Sequence, residues 1–128
     1  MFTYKYQKAL MSTIYRELID ACSSGNFEKV KSLVEQGAII SQDDYYCVHR
    51  AVESGDWPTV QYLIDRMGSA NLAFECATEE GNLEIMKNIR KARYDVSTSL
   101  PMCLQFAVRD KNRDVIKYLR HLTIDKAY

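Results

Sequence analysis

Four segments of the chain share one residue spacing, and this recurrence limits the folds that the chain can adopt. Each segment has an alanine four residues before an anchor position, a short polar residue directly after the anchor, and apolar residues further on. The anchors are Gly25, Gly55, Gly81 and Lys111, and the alanines are Ala21, Ala51, Ala77 and Ala107. Successive anchors are 30, 26 and 30 residues apart. A recurring spacing in this range is typical of repeat proteins, in which each repeat packs against its neighbours.

The residues on either side of each anchor predict a turn followed by a helix. The residue after the anchor is Asn26, Asp56, Asn82 or Asn112. Such side chains accept a hydrogen bond from the unpaired N–H groups at a helix start. Glycine at three anchors predicts a positive φ, which glycine adopts without a steric penalty. Lys111 breaks this rule, at an expected cost of about 1 kcal/mol.

Apolar and small residues at helical spacing precede and follow every anchor. Before the anchors the sets are Leu18, Ala21, Cys22; Val48, Ala51, Val52; Phe74, Ala77, Thr78; and Leu104, Ala107, Val108. After the anchors they are Val30, Leu33, Val34; Val60, Leu63, Ile64; Ile85, Met86, Ile89; and Val115, Ile116, Leu119. Spacings of three and four place each set on one helix face. The sequence therefore predicts an all-α fold of eight helices in four antiparallel pairs.

This pattern predicts a single domain over residues 1–128, built as an α-solenoid with terminal caps. Residues 1–11 precede the first repeat and form the expected N-terminal cap, which would cover the apolar side of that repeat. The repeats are expected at about residues 12–40, 41–69, 70–96 and 97–124.

Bulk composition argues against several classes of protein. Lys plus Arg and Asp plus Glu both number 17, so no net charge attracts the chain to nucleic acid or to an anionic membrane. No apolar run approaches the roughly 20 residues of a membrane span. The four cysteines are spread along the chain without a CxxC pair, and His49 and His121 have no metal-ligand spacing. We therefore expect a cytoplasmic protein with buried, reduced thiols and neither metal nor cofactor.

The segment Gly25–Ala38, preceded by Ala21, resembles the ankyrin repeat. Its sequence GNFEKVKSLVEQGA is similar to the family pattern G-H-x-E-V-V-K-L-L-L-E-x-G-A. The segment Val48-His49-Arg50-Ala51 resembles the end of the family's T-P-L-H-x-A signature. The resemblance covers roughly residues 12–122, and its strength lies in four copies that share one register.

The departures from the family pattern predict short connections between the repeats. No copy keeps the Thr-Pro pair, and the spacing is shorter than the roughly 33 residues of a standard ankyrin repeat. Since the helix anchors are intact, the projecting hairpins of the family should be short or absent, most of all at Met67–Asn71. Similar eroded repeats are abundant in large DNA viruses, which suggests a viral protein acting in the host cytoplasm or nucleus. Tetratricopeptide and HEAT-like arrays, whose periods are longer, fit less well.

The resemblance implies a non-catalytic module that binds a protein partner through its concave face and loops. In this register the exposed positions lie on the first helices and at the loop entries. The expected partner-binding residues are Tyr45, Tyr46, Arg50, Glu53, Ser54, Asn71, Glu75, Glu79, Glu80, Arg109 and Asp110. Tyrosine and arginine are among the side chains most often found as interface anchors.

Two alternative functions remain open at this point. The second helices carry cations that could bind nucleic acid, a phosphate ligand or an acidic partner. These are Lys87, Arg90, Lys91, Arg93, Arg113, Lys117 and Arg120, together with His121. The chain could also be a structural subunit that assembles with itself through the ends of its array. Catalysis is not expected, because the sequence has no nucleophile elbow, glycine-rich phosphate loop or HExxH motif, and no small-molecule substrate is implied.

Overall fold

A computed structural model describes residues 4–125, and the side chains of residues 8–123. These residues form eight α-helices and no strand, which confirms the predicted all-α class and helix number. The helices are α1 (Tyr4–Ser23), α2 (Phe27–Glu35), α3 (Gln42–Ser54), α4 (Trp57–Met67), α5 (Asn71–Glu80), α6 (Leu83–Lys91), α7 (Leu100–Arg109) and α8 (Arg113–Asp125). Residues 1–3 of the expected N-terminal cap lie outside the described part, and residues 4–11 continue directly into the first repeat as part of α1.

The chain divides between Leu63 and Ile64, within α4, into an N-terminal and a C-terminal unit. In the N-terminal unit, α1 packs against both α2 and α3. In the C-terminal unit, α5 packs against α6 and α7, and α7 packs against α8. Within each unit, therefore, a helix contacts both the partner of its own pair and the first helix of the next pair.

All four predicted helix starts are confirmed by side-chain hydrogen bonds. In each case an oxygen of the residue after the anchor accepts the backbone N–H three residues later. The nitrogen-to-oxygen distances are 3.3 Å for Lys29 to Asn26, 3.3 Å for Thr59 to Asp56, 3.0 Å for Ile85 to Asn82 and 3.2 Å for Val115 to Asn112. These bonds satisfy one of the N–H groups that every helix start leaves unpaired.

We expect Asn82→Ala to lower the free energy of unfolding by about 1 kcal/mol, because it removes the acceptor for the Ile85 N–H. Urea denaturation followed by circular dichroism measures this loss. Asn82→Asp is the matched control and should keep the stability, since a carboxylate accepts the same bond and suits a helix N-terminus. Equal unfolding midpoints for Asn82→Ala and the wild type would contradict the capping role.

The anchors adopt the predicted left-handed backbone conformation. Their φ angles are 68° at Gly25, 75° at Gly55, 69° at Gly81 and 57° at Lys111. Lys111 thus takes the turn conformation of the three glycines although it carries a Cβ. The turn geometry is therefore common to all four helix pairs, and only the fourth bears the cost of a non-glycine residue.

The predicted apolar sets are buried, with three exceptions that correct the prediction. Val108 is 52% exposed and Leu104 is half-buried, because both lie on α7 partly outside the surface that α5 and α8 cover. Ile116 on α8 is half-buried because it lines an open groove between α6 and α8. All three exceptions belong to the last helix pair.

The connections between helix pairs are short, as the sequence predicts. Residues 68–70 alone join α4 to α5, and this is the connection where the shortest link is expected. Residues 36–41 join α2 to α3, and residues 92–99 join α6 to α7. Tyr94 makes two of the hydrogen bonds that hold the last of these connections in place. The Arg90 guanidinium donates to the Tyr94 carbonyl, and the Tyr94 hydroxyl donates to Asp65.

Candidate functional site

Two exposed tyrosines lie at the entry to α3. Tyr45 is 38% exposed and Tyr46 is 43% exposed, so both display large aromatic surfaces to solvent. The chain enters α3 through a left-handed turn, in which Asp43, Asp44 and Tyr45 have φ angles of 53°, 54° and 62°. Left-handed conformations cost non-glycine residues roughly 1–2 kcal/mol each. Three in succession make this turn the most strained backbone among the described residues.

Contacts with neighbouring groups stabilise the left-handed turn at Asp43–Tyr45. The Tyr45 N–H donates to the Ser41 carbonyl at 3.2 Å, and the Cys47 thiol donates to the Ile40 carbonyl at 3.4 Å. The hydroxyl of Tyr15, on α1, is buried close to the Asp43 carboxylate. Burial, with a further contribution from Asp43, raises the pKa of Tyr15 to about 12. The side chain of Tyr15 therefore stays neutral at physiological pH.

Arg50 links Tyr46 to α1 in the N-terminal unit. Its Nε donates to the Ser23 hydroxyl oxygen, on α1, at 2.9 Å, and its Nη1 lies 3.4 Å from a carboxylate oxygen of Glu53. Its guanidinium carbon lies 5.9 Å from the centre of the Tyr46 ring, within the range of a cation–π contact. Arg50 is thus held by three partners, and its planar group lies beside an exposed aromatic ring. We call Tyr45, Tyr46, Arg50 and Glu53 the tyrosine–arginine cluster.

Ser54 has a turn-forming role beside this cluster. Its hydroxyl donates to the Ala51 carbonyl at 2.6 Å and accepts the Asp56 N–H at 3.2 Å. Both bonds lie in the reversal from α3 to α4. Ser54 remains exposed, so its predicted partner contact is compatible with this local role.

In the C-terminal unit, the predicted residues Asn71 and Glu75 accept hydrogen bonds from Ser99, the residue before α7. The buried Ser99 hydroxyl lies 2.8 Å from the side-chain oxygen of Asn71 and 3.3 Å from a carboxylate oxygen of Glu75. Asn71 and Glu75 are half-buried on α5, and Ser99 directly precedes α7. These bonds join α5 to α7, so the two side chains have an internal structural role that the sequence did not indicate.

The remaining predicted residues are exposed charges of the C-terminal unit. Glu79 and Glu80 end α5, whereas Arg109 and Asp110 lie at the end of α7. Arg109 Nε lies 3.0 Å from an Asp110 carboxylate oxygen, and this pairing lowers the pKa of Asp110. The Arg109 guanidinium carbon also lies 5.1 Å from the centre of the Phe106 ring. Because the two residues are adjacent and exposed, their ion pair contributes little stability.

The structure thus brings the predicted residues into two groups. Within the N-terminal unit, Arg50 contacts both Tyr46 and Glu53, Tyr45 precedes Tyr46 directly, and Ser54 follows Glu53. Within the C-terminal unit, Asn71 and Glu75 are engaged internally, and the charged residues at the ends of α5 and α7 are exposed. The prediction that these residues bind a partner stays a prediction, but only the first group combines exposed aromatic rings with a fixed arginine.

A groove of about 810 Å³ in the C-terminal unit lies between α6 and α8. Exposed cations line it, and they are Lys87, Arg113, Lys117 and Arg120, with His121 beside them. Half-buried Leu83, Ile116 and Tyr118 supply its apolar surface. We call this feature the basic groove. The sequence indicated its cations but not its apolar surface, because the repeat pattern assigned Ile116 to the core.

Not all of the basic residues noted in the sequence take part in the groove. Arg90 donates to the Tyr94 carbonyl and stabilises the loop after α6. Lys91 and Arg93 are exposed at the end of α6 and in the following loop, outside the groove lining. The structure therefore separates the cations of α8 and Lys87 from those that surround the α6–α7 loop.

The four cysteines are free and buried, as predicted. Cys22 on α1 and Cys47 on α3 also interact with each other, which the spacing of the sequence did not indicate. A hydrogen bond between the two thiols raises the pKa of Cys22 and lowers that of Cys47. Burial is the main cause that raises the pKa of Cys76 to about 12 and that of Cys103 to about 11. None of the four side chains is more than 2% exposed, so they serve as small packing groups.

The residues that the structure describes include neither a metal-binding cluster nor a membrane-spanning helix. Within them, no three histidine, cysteine, aspartate or glutamate side chains converge in a way that could hold a metal ion. No helix described here combines the length and the apolar character that a membrane crossing requires.

Comparisons of the chain with models of protein families, with curated proteins and with solved structures found no match.

Proposed function

We propose that this chain is an array of ankyrin-like helix pairs that binds a protein partner without catalysis, and that the tyrosine–arginine cluster makes the central contact. The repeat assignment is supported by the four capped helix starts and by the left-handed residue before each of them. It is also supported by the packing of α1 against α3 and of α5 against α7, since successive repeats stack through such contacts.

The observation that carries the binding proposal is the position of the Arg50 guanidinium against the exposed ring of Tyr46. Arg50 is fixed by Ser23 and Glu53 before any partner arrives. A side chain that is already ordered loses less conformational entropy on binding, so such a site favours association. Tyrosine and arginine side chains are also enriched among the residues that dominate binding energies.

The strained backbone in the first turn of α3 supports the same surface. Strained backbone conformations are concentrated at functional sites, where the surrounding structure holds them in place. Here the strain is located at Asp43–Tyr45, and it sets the direction from which Tyr45 leaves the backbone. An unstrained turn would direct the Tyr45 side chain elsewhere. The strain therefore supports a role for the direction of Tyr45 in binding.

Affinity capture tests this proposal with the variant Tyr45→Ala/Tyr46→Ala. We expect this variant to lose about tenfold or more of a specific partner from a cell lysate, because truncating two central aromatic anchors costs more than 1 kcal/mol. Quantitative mass spectrometry measures the captured proteins. Since both side chains are exposed, the circular dichroism spectrum and the urea midpoint should be unchanged.

The matched control is Met102→Ala/Val108→Ala, which removes two other exposed apolar side chains, 48% and 52% exposed on α7. We expect the Met102→Ala/Val108→Ala protein to capture a partner that is specific for the cluster, and the Tyr45→Ala/Tyr46→Ala protein to lose it. If every captured protein is retained equally by both variants, the tyrosine–arginine cluster is not the binding surface.

A further inference from the structure

We propose that the basic groove is a second binding site, which takes an acidic, amphipathic segment of a protein partner. The groove belongs to the C-terminal unit alone, whereas the tyrosine–arginine cluster belongs to the N-terminal unit. The proposal therefore does not depend on the function proposed for the cluster, and variants of one site leave the other intact.

The first argument is the charge of the groove. Four of its lining residues, Lys87, Arg113, Lys117 and Arg120, are exposed cations, whereas Asp114 is its single carboxylate. Among the described side chains, the ion pairs join Arg50 to Glu53 and Arg109 to Asp110, and neither pair includes a groove cation. A cluster of like charges that the protein itself does not neutralise attracts a ligand of opposite charge.

The second argument comes from the register of the repeats. Arg113 occupies the position of Phe27 and Trp57, and Arg120 occupies the position of Val34 and Ile64. Val34 and Ile64 are buried, whereas Arg120 is exposed. The last helix pair thus carries exposed cations at two positions where the first two pairs have apolar residues. In the third pair the second of these positions is Arg90, which is half-buried.

The third argument is the apolar surface within the groove. Leu83, Ile116 and Tyr118 are half-buried and lie among the cations, and Lys87 Nζ is 5.9 Å from the centre of the Tyr118 ring. Apolar surface beside cations fits a segment that carries leucine-like side chains together with carboxylates. An amphipathic helix seated in a groove presents its side chains in this alternation.

The same features favour a peptide over nucleic acid. Proteins that bind nucleic acid through its backbone commonly contact about 6–10 phosphates. The groove offers four exposed cations, fewer than such a set of phosphate contacts requires. Leu83 and Ile116 would gain nothing from a charged sugar–phosphate chain, whereas burial against an apolar side chain is favourable.

Fluorescence anisotropy with a defined probe tests the proposal on the full chain. The probe is a labelled peptide of about 14 residues that forms about four helical turns, with leucines on one face and glutamates flanking them. The comparison peptide has glutamine at every glutamate position. At about 0.15 M salt we expect the glutamate peptide to bind at least about tenfold more tightly, with an affinity that falls as salt rises. Equal binding of both peptides would overturn the proposal.

The test variant is Lys87→Glu/Lys117→Glu, and the matched control is Lys29→Glu/Lys31→Glu. Lys31 occupies the same register position as Lys87 and Lys117, and both control lysines are exposed on α2. Both variants change the net charge equally. We expect the groove variant to weaken binding of the glutamate peptide by about tenfold or more and the control variant by less than about twofold. Equal weakening by both variants would show a global charge effect and would overturn the proposal.

Three further measurements test the identity of the occupant. A labelled oligothymidine, or vesicles that contain phosphatidylserine, should bind more weakly than the glutamate peptide at the same salt concentration. Tighter binding of either would overturn the choice of an acidic peptide. Light scattering should detect no self-association through the groove. Self-association of the wild type that the groove variant abolishes would make a second copy of this chain the occupant. Unchanged urea midpoints confirm that the variants are folded.

Discussion

Phe74→Ala should lower the free energy of unfolding by about 3–5 kcal/mol, which is the range found when a buried phenylalanine is replaced by alanine. Phe74 is 0% exposed and is among the largest side chains of the core. It lies on α5, the helix that packs against both α6 and α7. Its removal leaves a cavity that rigid neighbouring helices fill only in part. Single domains are stable by only about 5–15 kcal/mol, so this change alone brings the protein close to unfolding.

Urea denaturation at one temperature measures this effect, with Phe106→Ala as the matched control. Phe106 is half-buried on α7 of the same unit and should cost only about 1–2 kcal/mol, since less apolar area becomes exposed. Phe74→Leu should lower the free energy of unfolding by less than Phe74→Ala, because most of the side-chain volume is kept. If Phe74→Ala costs no more than Phe106→Ala, the buried Phe74 side chain is not a main source of the unit's stability.

Gly25→Ala should lower the free energy of unfolding by about 2–3 kcal/mol, because one methyl group has two separate effects. Gly25 has a φ of 68°, where a residue with a Cβ is disfavoured by roughly 1–2 kcal/mol. The added Cβ would also lie 3.0 Å from the Cβ of Asp56, which is too close for two carbon atoms. Asp56 must then move, although its carboxylate caps α4 by accepting bonds from the N–H and hydroxyl of Thr59. Loss of such a cap costs about 1 kcal/mol.

The matched control for this second prediction is Gly68→Ala. Gly68 has a similar φ of 76°, but a Cβ added there meets no atom within 4 Å. It should therefore cost only the roughly 1–2 kcal/mol of the left-handed backbone. The difference in urea midpoint between the two variants isolates the contact with Asp56. Identical losses would mean that the anchor glycine serves its own turn only and does not position the next helix start.

Much of the fold could be predicted from the sequence, because the signals involved are local. A capping residue such as Asn82 accepts a hydrogen bond from an N–H three residues later, so its effect depends only on residues close to it in the sequence. The positive φ of Gly25 and Lys111 follows from the turn that each repeat needs between its helices. The short link at residues 68–70 follows from the spacing of the anchors.

The candidate sites were predicted less completely, because they depend on contacts between helices. The exposed Tyr45 and Tyr46 were identified by register, but the link from Arg50 to Ser23 joins residues 27 positions apart. The same holds for the bonds of Ser99 to Asn71 and Glu75. Such contacts depend on the rotation and spacing of neighbouring helices, which a periodic pattern leaves open.

The sequence by itself determined the helix number, the helix starts and the turn conformation at each anchor, because capping and helical periodicity act over a few residues. Only the tertiary structure decided that Ile116 lines a groove, that Arg50 is held beneath Tyr46 and that Asp43–Tyr45 form a left-handed turn. Each of these features depends on a neighbouring helix: the groove joins α8 to α6, Arg50 is held by Ser23 on α1, and Asp43 lies beside Tyr15 on α1. They therefore depend on how the helices pack within each unit.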